Sequence, residues 1–282
     1  MATLAYNGCD FAYRVGGEGP RVLFIQGIGV HGDGWRPQTE ALSSEFRCIS
    51  FDNRGMGASQ PVPAKLTVEG MAADAFALLD HLEVGSAHLV GHSLGGVVAQ
   101  HMALTHPERV RSLSLLCTLA RGADAIRLSS RMLWLGLASN IGTRRSRRMA
   151  FLQIVTAPGS VPPGSEEEVA GRLAPLFGHD LADRPPVAMK QLQALRAYDS
   201  RGTLREIGGL PSLVVSATHD LIAPPRFGRD LAAEIRGARY VEVEDAAHGV
   251  TLQRPGVIND LLREHLLAAE RSIRETFTPV LP

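Results

Sequence analysis

The chain has 282 residues, 45% hydrophobic and 21% charged, which is enough to bury a sizeable core in one large α/β domain with an insertion. Lys and Arg (29) balance Asp and Glu (29) to zero net charge, so nothing draws the chain electrostatically to nucleic acid or acidic lipid. The longest apolar stretch in the middle, about Met132 to Ala138, is too short to span a bilayer.

Met1 to Tyr6 has no basic region followed by an apolar core, so no secretory signal is expected. Cys9, Cys48 and Cys117 are scattered and odd in number. They argue against a disulfide framework and for a reducing, cytoplasmic setting, each as a small buried hydrophobe.

Short apolar runs alternate with helical patterns through the first 117 residues. Val22 to Ile25 and Cys48 to Phe51 read as strands buried on both faces. Val68, Met71, Ala72, Ala75, Leu79 and Leu82 then repeat at helical spacing, with Thr67 as N-cap and Gly85 as stop. Ala87 to Val90 is a third strand, Gly95 to Leu104 a helix ended by Pro107, and Ser112 to Leu116 a fourth strand. From about Ala120 to Leu204 only helical segments and loops are expected, punctuated by Pro158, Pro162, Pro163, Pro185 and Pro186. The alternation then resumes with strands at Leu213 to Ser216 and Tyr240 to Val243, and a closing helix over Pro255 to Glu270. The tail after Arg274 carries little pattern.

Between the third strand and its helix stands Gly91-His92-Ser93-Leu94-Gly95, a G-x-S-x-G pentapeptide. A strand that turns abruptly into a helix at a serine is a nucleophile elbow. Side chains at the flanking glycines would collide with strand and helix. The helix N-terminus favours developing negative charge beside the serine oxygen. The competing reading is an ordinary glycine-rich turn.

A serine hydroxyl needs a base, and the base needs an orienting acid. With this elbow they follow in the order Ser, acid, His. Asp220 closes the strand-turn Leu213 to Thr218-His219-Asp220, and His248 follows Val243 by five residues. Both fall at carboxyl ends of predicted strands, where open α/β sheets place their sites. A lone loop Asp is more often a turn residue and a lone His more often solvated; order and context favour catalysis here. The other histidines lack a partner at a diagnostic spacing. No His-Glu-x-x-His or Cys-x-x-Cys occurs, so no metal is expected. The oxyanion donors are expected to be the backbone N–H groups of Leu94 and of Ile28, in the loop Gln26-Gly27-Ile28-Gly29.

Gly27-Ile28-Gly29-Val30-His31-Gly32 is also a literal G-x-G-x-x-G after a strand, with Asp52 twenty residues on, the pattern of a dinucleotide site. Against it, Asp33-Gly34-Trp35-Arg36-Pro37 reads as continued loop rather than a helix start, and Ser93, Asp220 and His248 would go unexplained.

Together these residues resemble the α/β-hydrolase superfamily, over about residues 10–120 and 205–270. The resemblance rests on Gly91 to Gly96, on Asp52-x-Arg54-Gly55-x-Gly57-x-Ser59, and on Asp220 with His248. It implies a mostly parallel central sheet flanked by helices, with core residues 1–119 and 205–282 and a helical cap at 120–204. Gln26 stands where the family usually has His. The family's small esterases, enol-lactone hydrolases and carbon–carbon hydrolases need no cofactor, and none is expected here. A serine at the elbow argues against epoxide hydrolase and haloalkane dehalogenase activity.

The implied activity is hydrolysis of a small carboxylic ester or lactone through an acyl-enzyme on Ser93, by a monomer or homodimer. Carbon–carbon or thioester hydrolysis, acyl transfer, or a hydrolase-like ligand receptor remain alternatives on the same triad. In the cap, Met132, Leu133, Trp134, Leu135 and Leu137 line a substrate pocket or pack the cap. Arg144, Arg145, Arg147 and Arg148 bind a substrate carboxylate or form a solvated helix face, the latter being favoured.

Overall fold

The computed structural model describes residues 1–126 and 129–277. An eight-stranded sheet organises the chain. In chain order the strands are β1 (Ala2–Tyr6), β2 (Cys9–Gly16), β3 (Arg21–Ile25), β4 (Arg47–Phe51), β5 (Ala87–His92), β6 (Val110–Leu116), β7 (Ser212–Ala217) and β8 (Arg239–Val243). In space they run β1-β2-β4-β3-β5-β6-β7-β8. β3 to β8 are parallel, while β1 and β2 are an antiparallel edge.

Residue alternation along the strands splits the core into two layers. Leu23, Ile25, Ile49, Phe51, Leu89, Leu113 and Val214 face one side. There they meet α2 (Val68–His81), α3 (Leu94–Thr105) and α8 (Pro225–Glu234) through residues such as Leu78, Val98 and Leu231. Val22, Phe24, Cys48, Val90, Leu213 and Val215 face the other side. They meet α1 (Arg36–Leu42) and α10 (Pro255–Phe277) through Leu42, Ile258, Leu262 and Leu266. All three cysteines are buried and free.

Thr67 caps α2 as expected, its Oγ1 accepting the Gly70 N–H at 3.0 Å. The helix closes earlier than the stop expected at Gly85: it ends at His81, and Glu83 takes a left-handed φ of 53°. Arg36 to Leu42 is helical, where loop was expected through Pro37; a proline at the first turn forfeits only an N–H that has no helical partner. α10 continues to Phe277, past Glu270; the last residues of the tail, 278–282, lie outside the described ones. The β1–β2 hairpin escaped the sequence reading. Its two-residue loop, Asn7-Gly8, has positive φ at both positions (46° and 71°), and Asn-Gly is the strongest short hairpin signal.

Between β6 and β7 the chain makes a helical excursion: α4 (Ser130–Ala138), α5 (Arg144–Val155), α6 (Glu166–Phe177) and α7 (Ala188–Ala197). It has its own apolar cluster, with Met132, Leu135, Leu152, Ile154 and Phe177 packed together and Val30 and Leu252 of the sheet side against them. In α4 only Met132 and Leu135 turn inward; Leu133, Trp134 and Leu137 are exposed. Among the described residues no helix is long and apolar enough to cross a membrane.

Candidate active site

β5 delivers Ser93 into a turn of φ 54°, ψ −119°, a conformation that costs a non-glycine residue of order 1–3 kcal/mol. The surroundings hold it there. The Ser93 N–H donates to the Leu116 carbonyl (2.9 Å), and Thr118 Oγ1 donates to the Ser93 carbonyl (2.7 Å). A Cβ on Gly91 would strike the backbone of Gly95, and one on Gly95 would strike the carbonyl of Ile25. The serine is half-buried between buried neighbours. Leu94 is the first residue of α3, and its N–H is one of the orphan donors of that helix end.

Asp220 lies in the turn after β7, and His248 in the loop after β8. Two backbone bonds draw the loops together: Thr218 N–H to the Val243 carbonyl (3.1 Å), and His219 N–H to the Ala246 carbonyl (2.8 Å). Asp220 Oδ2 then lies 2.8 Å from His248 Nδ1, while Oδ1 accepts the N–H groups of Ile222 (2.8 Å) and Ala223 (2.9 Å). Asp220 is 3% exposed and His248 8%. Burial pushes the Asp220 carboxyl up, but the imidazole and the two N–H donors outweigh it and hold it below the usual carboxylate range.

His92, which the sequence reading set aside for want of a partner, connects these parts. Its Nε2–H donates to the His248 carbonyl (2.8 Å), and the two rings lie 4.9 Å apart. Burial lowers it to about 3, so the ring is neutral. Its backbone leads directly into Ser93, so one residue links the elbow to the loop of His248. The signal was its place as the second residue of the pentapeptide. Among the hydrogen bonds of the described residues, none joins Ser93 Oγ to His248. Such contacts in a substrate-free site often tighten only when substrate binds.

Cys117, the residue after β6, has φ 47°. Burial, and then the Asp220 carboxylate, push its thiol well up. Ligand atoms of His92, Cys117 and His248 lie within 4.8 Å of one another, a grouping that no sequence motif announced. A metal would need the thiolate that this environment disfavours, and would compete with the bonds His248 makes to Asp220 and His92 to the His248 carbonyl.

The loop after β3 runs against the elbow: a Cβ on Gly27 would sit 3.0 Å from Ser93 Cβ. The Gly27 N–H is taken by Gln26 Oε1 (3.2 Å) and the Gly29 N–H by Gln191 Oε1 (2.8 Å). The Ile28 N–H between them has no partner among the described residues. Asp52, the residue a dinucleotide ribose would need, accepts the N–H groups of Gly32 (2.8 Å) and Ala58 (3.1 Å) instead. Its carboxylate braces the two glycine-rich loops against each other.

In the basic cluster of α5, Arg144 pairs with Asp180 (2.8 Å) and Asp183 (2.9 Å), and Arg148 with Asp180 and Glu167. These two guanidinium groups are committed to the protein's own carboxylates.

The comparisons agree with this architecture. Residues 20–255 match the family model described as alpha/beta hydrolase fold. A protein of Azorhizobium caulinodans with the provisional name carbamate hydrolase RutD is 31% identical over 92% of this chain and 96% of its own. The enol-lactonase of Burkholderia xenovorans LB400 superposes with a TM-score of 0.78 at 28% identity, over 94% of this chain and all (100%) of the enol-lactonase. A thermophilic esterase of Thermogutta terrifontis, solved with malate bound, gives 0.78 at 27% identity, over 95% and 97%. With the pleated scaffold, the elbow and the family match in agreement, the chain belongs to the α/β-hydrolase family and is a hydrolase of that fold.

Proposed function

We propose that the chain is a serine hydrolase of small carboxylic esters or lactones, working through an acyl-enzyme on Ser93. The observation that carries this reading is the Asp220–His248 pair, bonded at 2.8 Å and joined through His92 to a strained, half-buried serine. His248, held by Asp220, takes the Ser93 proton as the oxygen attacks the acyl carbon. The N–H groups of Leu94 and Ile28 receive the oxyanion; in enzymes where one such donor was removed the loss was about 2.7–4 kcal/mol. His248 then protonates the leaving group, and a water activated by the same ring releases the acid.

In this reading residues 120–204 form a cap over a core of 1–119 and 205–282, and the cap sets which acyl group fits. The enol-lactonase and esterase likenesses support esters and lactones; the RutD likeness raises carbamates as a second acyl class for the same triad. The test is turnover of aryl acetates, butyrates, lactones and carbamates by wild type and Ser93→Ala. The reading expects the variant to fold normally and lose all hydrolysis above background. Wild-type turnover by Ser93→Ala contradicts it.

A further inference from the structure

Three backbone groups of the loop that carries Ile28 are bonded to the excursion between β6 and β7. Gln191 Oε1, from α7, accepts the Gly29 N–H (2.8 Å). His179 Nε2–H donates to the Gly29 carbonyl (2.8 Å). The Phe177 carbonyl accepts the His31 N–H (3.3 Å). Gly29 has φ +71°, and it is gripped by the excursion at both its N–H and its carbonyl.

We propose that Gln191 and His179 are positioning residues that set the oxyanion hole from the cap, by fixing the peptide units on either side of Gly29. The inference rests on the serine hydrolase reading above. Four observations support it. Gln191 is 0% exposed, and its Nε2 has no partner among the described residues. Its buried amide is therefore bonded through Oε1 to the Gly29 N–H, and packing alone would favour an apolar side chain there. The amide orientation is fixed, because the flipped amide would set N–H against N–H. His179 is braced through its chain neighbour: the Asp180 carboxylate is held by Arg144 and Arg148 and accepts the Ala182 N–H (2.8 Å). The arginine cluster thus acts on the site indirectly, through Asp180, His179 and Gly29. A displaced Ile28 N–H weakens binding of the tetrahedral intermediate more than binding of the planar ester, because the donor is aimed at the oxyanion.

The test compares wild type with Gln191→Ala, Gln191→Met, His179→Ala and His179→Gln, with Ser93→Ala as control. The readouts are kcat, KM and affinity for phenylboronic acid, a probe that forms a tetrahedral adduct on the serine. Gln191→Met keeps the packing volume if Gln191→Ala fails to fold, and His179→Gln restores a donor to the Gly29 carbonyl. The expected result is a fall in kcat of about 10- to 100-fold in Gln191→Ala, Gln191→Met and His179→Ala, a smaller effect than outright loss of an oxyanion donor. Boronate affinity falls in parallel, KM changes little, and His179→Gln recovers most of the loss. Wild-type kcat in Gln191→Met and His179→Ala, or a loss of kcat with boronate affinity unchanged, overturns the inference. If these variants are wild-type while Ser93→Ala is inactive, only the positioning role falls. If Ser93→Ala is active, the hydrolase reading falls and takes this inference with it.

Discussion

Asp220 reaches His248 across 28 residues of chain with one carboxylate oxygen, and holds its own turn with the other. The carboxylate therefore both selects the His248 tautomer and closes the loop that places it. Asp220→Asn keeps a similar shape but presents the wrong hydrogen-bond pattern to Nδ1. The expected outcome is a loss of kcat of about 10⁴-fold with the fold retained. Steady-state kinetics beside circular dichroism checks it; activity within tenfold of wild type would remove Asp220 from the orienting role.

The elbow makes a second prediction about packing. Gly95 has the Ile25 carbonyl where a Cβ would go, whereas Gly85 has open space within 4 Å. Gly95→Ala should destabilise the protein by about 3 kcal/mol or more, since backbone cannot yield as a side chain can. Gly85→Ala should be neutral or stabilising by up to about 1 kcal/mol. Urea unfolding of both variants measures the contrast, and equal stabilities would contradict the packing account.

Much of this was legible in the chain itself. Periodicity found β3 to β7 because strands buried on both faces read as near-continuous apolar runs, as in Val22 to Ile25, while half-buried β8 showed only as the short run Tyr240 to Val243. The elbow was legible because its glycines are required sterically, and Asp220 and His248 because chain order and strand ends point to them. The hairpin was missed because β1 is mostly exposed and lacks an apolar run, leaving Asn7-Gly8 as its signal. His92 and Gln191 were illegible for another reason. Each acts through a partner 156 or 162 residues away, and no local pattern encodes such a contact.

Three buried rings give stability a pH dependence. Burial lowers His88 and His265 to about 4 and His92 to about 3, against an ordinary 6.5. His88 accepts from Ser112 Oγ at Nδ1 (2.8 Å) and donates to Glu270 from Nε2 (2.9 Å), a neutral ring tying β5, β6 and α10 together. Below pH 6.5 the unfolded chain binds protons that the folded chain refuses. Stability contributed by each ring is thus present above pH 6.5 and falls toward pH 4, at most about 1.4 kcal/mol per pH unit. Urea midpoints should drop steadily from pH 7 to pH 4.5. A flat profile would mean that these rings titrate alike in both states.

The arginines of α5 separate two accounts of the helical excursion between β6 and β7. If Arg148 received a substrate carboxylate, Arg148→Gln would raise KM for acidic esters alone. Its pairing with Asp180 and Glu167 predicts instead an equal effect on acidic and neutral esters, expressed in kcat through His179. Paired kinetics on a monomethyl dicarboxylate and its dimethyl ester decide between them.

The most direct test of the whole account is the site of covalent capture by a fluorophosphonate, read by intact mass and then by peptide mass spectrometry. The account predicts one adduct per chain, on Ser93, with activity lost in proportion and no adduct on Ser93→Ala. An adduct on another residue, or full hydrolysis by a chain labelled at Ser93, would contradict it.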